Sequence, residues 1–472
     1  MSRSLWALVL LCACAEPPPV RLVVRAGRLL DGTGAPAKLN QRVEIEAGLI
    51  TAIRDDDAAP LPPGVEQIDA RNRTVMPGLV NAHLHLFASG ACTAEASPSA
   101  LSPARNLHAL LQGGITTAAD LGAPLPQSVA LRQHVGTGRS RGPRVLVAGP
   151  VLTAPDGYPI DFVGPTAVTM GLARPIASEF EAVTAVRELA EQGADLIKIA
   201  LQEKRYDGTP TAMLSEAIVC ALVHEAHTQE LRVAAHVATR AGVERALTCH
   251  VDLLAHAPLE PLPDAVVAQL VQTQTGVAPT LFVYEAPWWG QDEEARLDTP
   301  EIKALLGAPT VAGLHRFVKE LRADPTTLPY PQMPRITTAS MREGLLHSHA
   351  NTQRLWAAKA NLGLGTDAGI CFNLHGSPVE ELLRLEQAGL PRAEVLRLAT
   401  SGGARLLNLH DALGTVQVGF RADLLVVAGN PDEDLHTITA VKQVLIDGVE
   451  QRLGPPGFWE QAELLLRLWW VS

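Results

Sequence analysis

The chain has 472 residues, 47% of them hydrophobic and 19% charged, which is enough to bury a large core. Its net charge of −11 argues against a nucleic-acid partner. No basic cluster, RNA module, Gly-rich phosphate loop, internal repeat or long low-complexity stretch is present in the sequence.

The first residues carry a message of their own. Met1-Ser-Arg-Ser4 precedes a short apolar run, Leu5–Leu11, and a small-residue exit at Leu11-Cys-Ala-Cys14. This pattern reads as a signal peptide over 1–14, too short to span a bilayer as a helix. Leu-Cys-Ala-Cys also resembles a bacterial lipoprotein box, with Cys14 as the acylated first residue of the mature protein. The chain is then exported, periplasmic or anchored in a bacterial outer membrane, and meets a membrane only through that lipid. The bland alternative is a mis-called start and a cytoplasmic protein. Glu16–Pro19 would form a stiff tether.

Residues 21–74 hold alternating β-branched runs punctuated by Asp-Gly and Gly-Ala-Pro turns, and 417–452 read the same way. Between them, short apolar strands are predicted at 75–83, 115–120, 143–152, 194–200, 231–237, 251–257, 276–282 and 361–367. Helical periodicity fills 101–113, 178–192, 212–229, 240–249 and 263–274. Strand alternating with helix implies a parallel sheet, and eight such units suit a closed (β/α)8 barrel. A long insertion at about 284–350, with Pro-rich joints, follows the seventh strand, where a lid would attach. The tail 453–472 contains an amphipathic helical stretch that reads as packing against the barrel.

Candidate metal ligands stand at the ends of these strands. Val75-Met76-Pro77-Gly78-Leu79-Val80-Asn81-Ala82-His83-Leu84-His85 ends in two histidines spaced i, i+2, which share one face of a strand. Lys198 sits in the apolar run 193–199, His236 closes 231–236, His256 closes 251–256 and Asp367 closes 362–367. Active sites of β/α barrels form at this rim from residues on several strands. Imidazole and carboxylate suit zinc and its neighbours.

These motifs resemble those of metal-dependent amidohydrolases of the imidazolonepropionase/Xaa-Pro-dipeptidase-like branch. The matching residues are 75–86, Gly114-Ile-Thr-Thr-Ala-Ala-Asp-Leu-Gly122, 193–199, Ala235-His236, Ala255-His256, Gly365-Thr-Asp-Ala-Gly369 and the returning strand at 422–431. The resemblance covers about 22–452. It implies an α/β fold: a (β/α)8 TIM barrel over 75–404, inserted into a small β-sandwich made from both termini, 21–74 plus 405–452. It also implies two divalent metal ions, zinc by preference, the first held by His83, His85 and Asp367 and the second by His236 and His256. Lys198, carboxylated by carbon dioxide, would bridge them, and Asp367 would act as general base and then acid. Mononuclear members of the superfamily lack the bridging lysine, so Lys198 favours two metals.

The implied activity is hydrolysis of a carbon–nitrogen bond in a small amide, cyclic amide or dipeptide-like molecule. A mononuclear deaminase, with His256 as an acid/base and Lys198 unmodified, is one alternative. A non-catalytic binding protein on the same fold is the other. Candidate substrate residues are Arg205, Tyr206, Phe282, Tyr284 and His375, in loops after the strands, with packing or solvation as the competing reading for each, and residues 158–175 and 284–350 read as shaping the pocket. Asp120 reads as a structural carboxylate at the barrel mouth. Cys92 and Cys371 both follow strands, so a bond between them is geometrically conceivable; Cys220 and Cys249 fall in helical stretches and read as buried small hydrophobes. The partner is a small-molecule substrate, and the resemblance leaves room for a homo-oligomer.

Overall fold

The computed structural model describes residues 21–92, 102–330, 336–454 and 457–470. The signal-peptide and lipidation readings at 1–14 lie outside the described residues. The chain begins with four strands, β1 (Arg21–Leu29), β2 (Lys38–Glu46), β3 (Leu49–Asp55) and β4 (Glu66–Pro77). Next come β5 (Leu79–Leu84), β6 (Ile115–Asp120) and β7 (Arg144–Val147). Six further strands follow: β8 (Val151–Thr153), β9 (Ala173–Pro175), β10 (Leu196–Leu201), β11 (Arg232–Val237), β12 (Leu253–Leu254) and β13 (Gly276–Val277). The last three are β14 (Leu424–Val427), β15 (Val441–Ile446) and β16 (Val449–Gln451).

Both ends of the chain meet in one seven-stranded sheet, ordered β16-β15-β14-β4-β1-β2-β3. β1 pairs in parallel with β4 and antiparallel with β2, placing Val24 beside Val43 and Ile68. Alternate residues Leu22, Val24 and Ala26 fall on one face and join Val43, Ile45 and Val426 in a single apolar cluster. The β-sandwich expected here thus takes the form, in its hydrogen-bond ladders, of one sheet drawn from both ends.

Gly78 is where the chain passes from this sheet into the next. A Cβ at Gly78 would lie 2.0 Å from Thr116 Oγ1, so only glycine permits the close passage between β4 and β5. The remaining strands form two parallel ladders, β5-β6-β7 and β13-β12-β11-β10-β8-β9. They are nearly continuous apolar runs buried on both faces, as parallel strands are: every residue of β5, β6 and β10 is buried. Helices cover them, among them Glu179–Glu191, Glu216–Thr228 and Arg240–Thr248. Their N-termini are capped by Ser178, Ser215 and Thr239, each side chain accepting a backbone N–H of the first turn.

Several predicted strands are shorter than their apolar runs. The run 143–152 divides into β7 and β8, with Gly149 at φ 75° between them. The run 251–257 pairs only at Leu253–Leu254. The expected strand 276–282 pairs only at Gly276–Val277, and its second half is helical, Leu281–Asp292. Thr280 adopts a left-handed conformation, φ 52°, and the Glu381 carboxylate accepts the N–H groups of Leu281 at 2.9 Å and Phe282 at 2.8 Å. A buried carboxylate on these orphan donors starts a helix where the sequence pattern suggested a strand.

Residues 361–368 make single parallel bridges rather than a ladder, Leu362 to Val277 on one side and Ala368 to Leu84 on the other. Their backbone is nonetheless well anchored: Ala82 N donates to Leu364 O at 2.8 Å and Val277 N to Asn361 O at 2.9 Å. Gly365 here allows close packing, since a Cβ would lie 2.7 Å from Ala278 Cβ and 3.1 Å from His83 Cβ.

The inserted region holds helices Pro300–Leu306, Ala308–Ala323 and Thr338–Ala357. Leu314, Phe317 and Leu321 pack there with Phe282 and Phe372 in a second apolar cluster. The C-terminal helix Phe458–Trp470 is fastened by Glu460, whose carboxylate meets His108 Nε2 at 3.0 Å and Arg141 Nη2 at 2.9 Å. Among the described residues two disulfides are present, Cys92–Cys371 and Cys220–Cys249. The second corrects the reading of Cys220 and Cys249 as unpaired hydrophobes: Cys249 is the C-cap of helix Arg240–Thr248, which packs beside the helix carrying Cys220. Among the described residues, no helix is long and apolar enough to cross a membrane.

Candidate active site

Parallel strands deliver their C-terminal ends to a common rim, which is where α/β proteins place ligands. His83 stands on β5, Lys198 on β10 and His236 on β11, with Ala200 in register beside His236. His256 follows β12, and Asp367 ends the 361–368 segment in a left-handed conformation, φ 57°. All six predicted ligands, His83, His85, Lys198, His236, His256 and Asp367, line one cavity of about 270 Å³.

His83, His85 and Asp367 form a compact triad, with one ligand atom from each lying within 4.8 Å of the others. Asp367 Oδ1 lies 3.0 Å from His85 Nε2 and 3.4 Å from His83 Nε2. On the other side of the cavity, His236 Nδ1 and His256 Nε2 are 2.9 Å apart.

The outward-facing nitrogens are held in place. His83 Nδ1 is 2.9 Å from the Ala255 carbonyl, so it carries a proton and leaves Nε2 as the basic nitrogen. His236 Nε2 lies 2.7 Å from Gln202 Oε1, and His256 Nδ1 lies 2.6 Å from Thr280 Oγ1. Such outer partners fix the ring orientation of metal-ligating histidines.

Electrostatics favours the same chemistry. Burial, reinforced by Lys198 and by the neighbouring histidines, pushes His83, His236 and His256 well below the ordinary imidazole pKa. They are therefore neutral at pH 7, as a metal ligand must be. His85 departs from this pattern: burial works against its charge, but the Asp367 carboxylate more than offsets it and raises the pKa. Burial also lowers the Lys198 amine from 10.5 to about 7, although nearby Asp367 opposes the change.

A metal fits this donor set on structural grounds. Lys198 Nζ is buried with no hydrogen-bond partner, an expensive arrangement unless something else engages it. Imidazole and carboxylate donors converging in this way suit zinc-class divalent ions.

The remaining candidates occupy varied positions. His375 stands behind the ligands, its Nε2 3.0 Å from the His85 carbonyl, and burial lowers its pKa to about 4. Tyr284 is on helix Leu281–Asp292, its ring 5.9 Å from that of His256 and 6.4 Å from that of Tyr206. Arg205 and Tyr206 line a neighbouring groove with Gln202, Thr239 and Glu260, and Arg205 Nε lies 4.0 Å from Asp161 Oδ2. Phe282 is buried and packs on Trp289 rather than facing the cavity. Asp120 is buried and accepts the Leu86 N–H at 3.3 Å, and burial raises its pKa to about 6.

Sequence reasoning missed Gln202, Thr280 and Tyr158. Gln202 had a signal, because it stands four residues after Lys198 and so shares its strand face. Tyr158 had none. It stacks on the His236 ring at 4.0 Å and 12°, brought there by the long loop after β8.

Comparisons with known proteins agree with this geometry. The model of the amidohydrolase family matches residues 74–450. The ochratoxinase of Aspergillus niger is 25% identical over 456 residues, covering 89% of this chain and 84% of the enzyme. Its crystal structure superposes with a TM-score of 0.71 at 19% identity, covering 92% of this chain and 96% of that one. A crystal structure of a Xaa-Pro dipeptidase with methionine bound in its active site gives a TM-score of 0.76 at 22% identity, covering 92% of this chain and all of the other. A 5-methylthioadenosine/S-adenosylhomocysteine deaminase of Desulforudis audaxviator is 43% identical over 82 residues, spanning 16% of this chain and 19% of that enzyme. With the family model spanning most of its length, the chain belongs to the amidohydrolase family, as a metal-dependent hydrolase of carbon–nitrogen bonds.

Proposed function

We propose that the protein is a binuclear metallohydrolase that cleaves the C–N bond of a small amide, cyclic amide or dipeptide-like molecule. The observation that carries this reading is the buried, unpartnered Lys198 amine in a cavity it shares with the neutral imidazoles of His83, His236 and His256 and with the His85–Asp367 pair. His83, His85 and Asp367 would hold one zinc-class ion, and His236 with His256 a second. Such ions, when bound, polarise a carbonyl and acidify water to a pKa of roughly 7.

Lys198 is the bridging group in this reading. In its neutral form, made accessible near pH 7 by burial, the amine adds to carbon dioxide and loses one proton, becoming a carbamate with two oxygen donors. Asp367 moves the catalytic proton: it takes one from the attacking water as the C–O bond forms and gives it to the departing nitrogen as the C–N bond breaks. Gln202, Thr280 and the Ala255 carbonyl keep the imidazoles aimed inward. The two parallel ladders joined through 361–368 are read as the staves of a (β/α)8 barrel whose rim carries this site. The two disulfides support export to an oxidising compartment, with the leader at 1–14 as its address.

Elemental analysis of protein purified without chelators, with bicarbonate present, tests the proposal. About two metals per chain, with hydrolysis of dipeptides, acylated amino acids or cyclic amides, is expected. One metal would move the assignment to a mononuclear hydrolase or deaminase. None after supplementation would leave a binding protein.

A further inference from the structure

The wall of the cavity, as distinct from its floor, is built of rings and apolar side chains. Aromatic residues make up only 4% of the chain, and only four are tyrosines. All four tyrosines stand in or beside this site: Tyr158 and Tyr330 line the cavity, Tyr284 is 5.9 Å from the His256 ring, and Tyr206, in the neighbouring groove, is 6.4 Å from Tyr284. From the floor outward, rings follow one another. Tyr158 stacks on His236 at 4.0 Å, Phe162 lies nearly parallel to Tyr158 at 6.4 Å, and Tyr330 meets Phe162 edge-on at 6.4 Å. Phe87, Met170 and Leu172 complete this wall.

Charge is confined to the floor. Among the described lining residues, the amine of Lys198, the carboxylate of Asp367 and the imidazoles are the ionisable groups near the metal site, and no guanidinium joins them. A carboxylate or ammonium on the outer part of a substrate would lose water without gaining a counter-ion. A flat uncharged group would instead gain ring-on-ring contact and apolar burial. The cavity volume of about 270 Å³ is near the lower end of the roughly 300–1,000 Å³ common for small-molecule sites.

We infer that the preferred substrate is an amide with one half a flat, uncharged aromatic group, seated among Phe87, Tyr158, Phe162, Met170, Leu172 and Tyr330 while its C–N bond faces Asp367. The assignment rests on the hydrolase reading for the bond cleaved, and on the wall alone for the group bound. It separates this chain from an enzyme for zwitterionic dipeptides, whose outer charge none of the described wall residues answers.

Two measurements test it. In the first, metal-stripped protein is titrated with 2-acetylnaphthalene and with 6-acetyl-2-naphthoate, which adds a carboxylate at the far edge of the rings. The neutral probe is expected to bind at least about tenfold more tightly than the charged one, and about tenfold more weakly to Phe162→Ala protein. Phe162→Leu, which keeps apolar volume, should fall between, and unchanged metal uptake by both variants controls for folding. In the second, the metal-loaded enzyme is given N-benzoylglycinamide, N-phenylacetamide, N-acetylglycinamide and glycyl-proline. The better aromatic amide should exceed N-acetylglycinamide in kcat/KM by about 100-fold or more. Equal binding of the charged probe, or equal turnover of N-acetylglycinamide or glycyl-proline, overturns the inference while leaving the hydrolase reading intact. Selective binding of the neutral probe without hydrolysis of any amide upholds the inference and overturns the hydrolase reading.

Discussion

Replacing Lys198 with methionine removes a buried amine while keeping a long apolar stem, so its effect isolates the nitrogen. Burial lowers that amine from 10.5 to about 7, so between these values the unfolded chain binds a proton that the folded one does not. The stability of metal-free wild-type protein therefore rises with pH across this window. At about 1.4 kcal/mol per tenfold, the penalty relative to alkaline pH is about 4 kcal/mol at pH 7 and about 2 kcal/mol at pH 9. Metal-free Lys198→Met protein carries no such term. Urea denaturation of both chelated proteins should show the variant more stable at pH 7, with its advantage shrinking by about 2 kcal/mol at pH 9. With metals and bicarbonate the order of merit reverses: the variant should bind about one metal and lose roughly 10³-fold in kcat/KM. A pH-independent difference between the two proteins, or two metals on the variant, would refute the argument.

Asp367→Asn should leave the secondary structure intact by circular dichroism and lower kcat by about 10²–10⁴-fold, since an amide cannot carry the proton; a loss below tenfold would reassign that role. Gln202→Leu frees the outer nitrogen of His236 and should weaken metal affinity by about 10–100-fold in a chelator competition, with no change expected in the fold. Replacing Cys220 and Cys249 together by alanine opens a crosslink spanning 29 residues and should cost about 3–4 kcal/mol of stability with metal stoichiometry unchanged. Opening Cys92–Cys371 should weaken metal binding as well, because it joins the segments carrying His85 and Asp367.

The candidate ligands were legible because the histidines and Asp367 close apolar runs and Lys198 interrupts one, and burial leaves a strand little reason to carry an ionisable side chain except chemistry. The His83–His85 spacing even gave the shared face. What was not legible depends on contacts far apart in sequence. Leu281 and Phe282 look like strand residues until Glu381, 100 and 99 positions on, takes up their N–H groups. The Cys220–Cys249 bond needed the packing of two helices, which periodicity alone does not give. Tyr158 belongs to a loop, where no period marks which side chain turns inward. For the substrate wall the segments were legible but the side chains were not: residues 158, 162, 170 and 172 share the stretch between β8 and β9, and 87 and 330 come from two others, with no common period to mark which of them turn inward.

The dryness of the site also fixes how many protons a metal must displace. His83, His236 and His256 are held neutral by burial, so their inner nitrogens need give up no proton at pH 6. His85 is different, because Asp367 raises its pKa above 6.5 and it is mostly charged at that pH. In Lys198→Met protein, where the amine contributes nothing, filling the first metal site at pH 6 should release about one proton. Calorimetric zinc titrations in buffers of differing ionisation enthalpy measure this number directly. Release of two protons would mean that His83 as well as His85 is charged before metal arrives and that burial does not prepare it. Release of about one would show a site built around neutral ligands, in which the His85–Asp367 pair alone holds the proton that metal replaces.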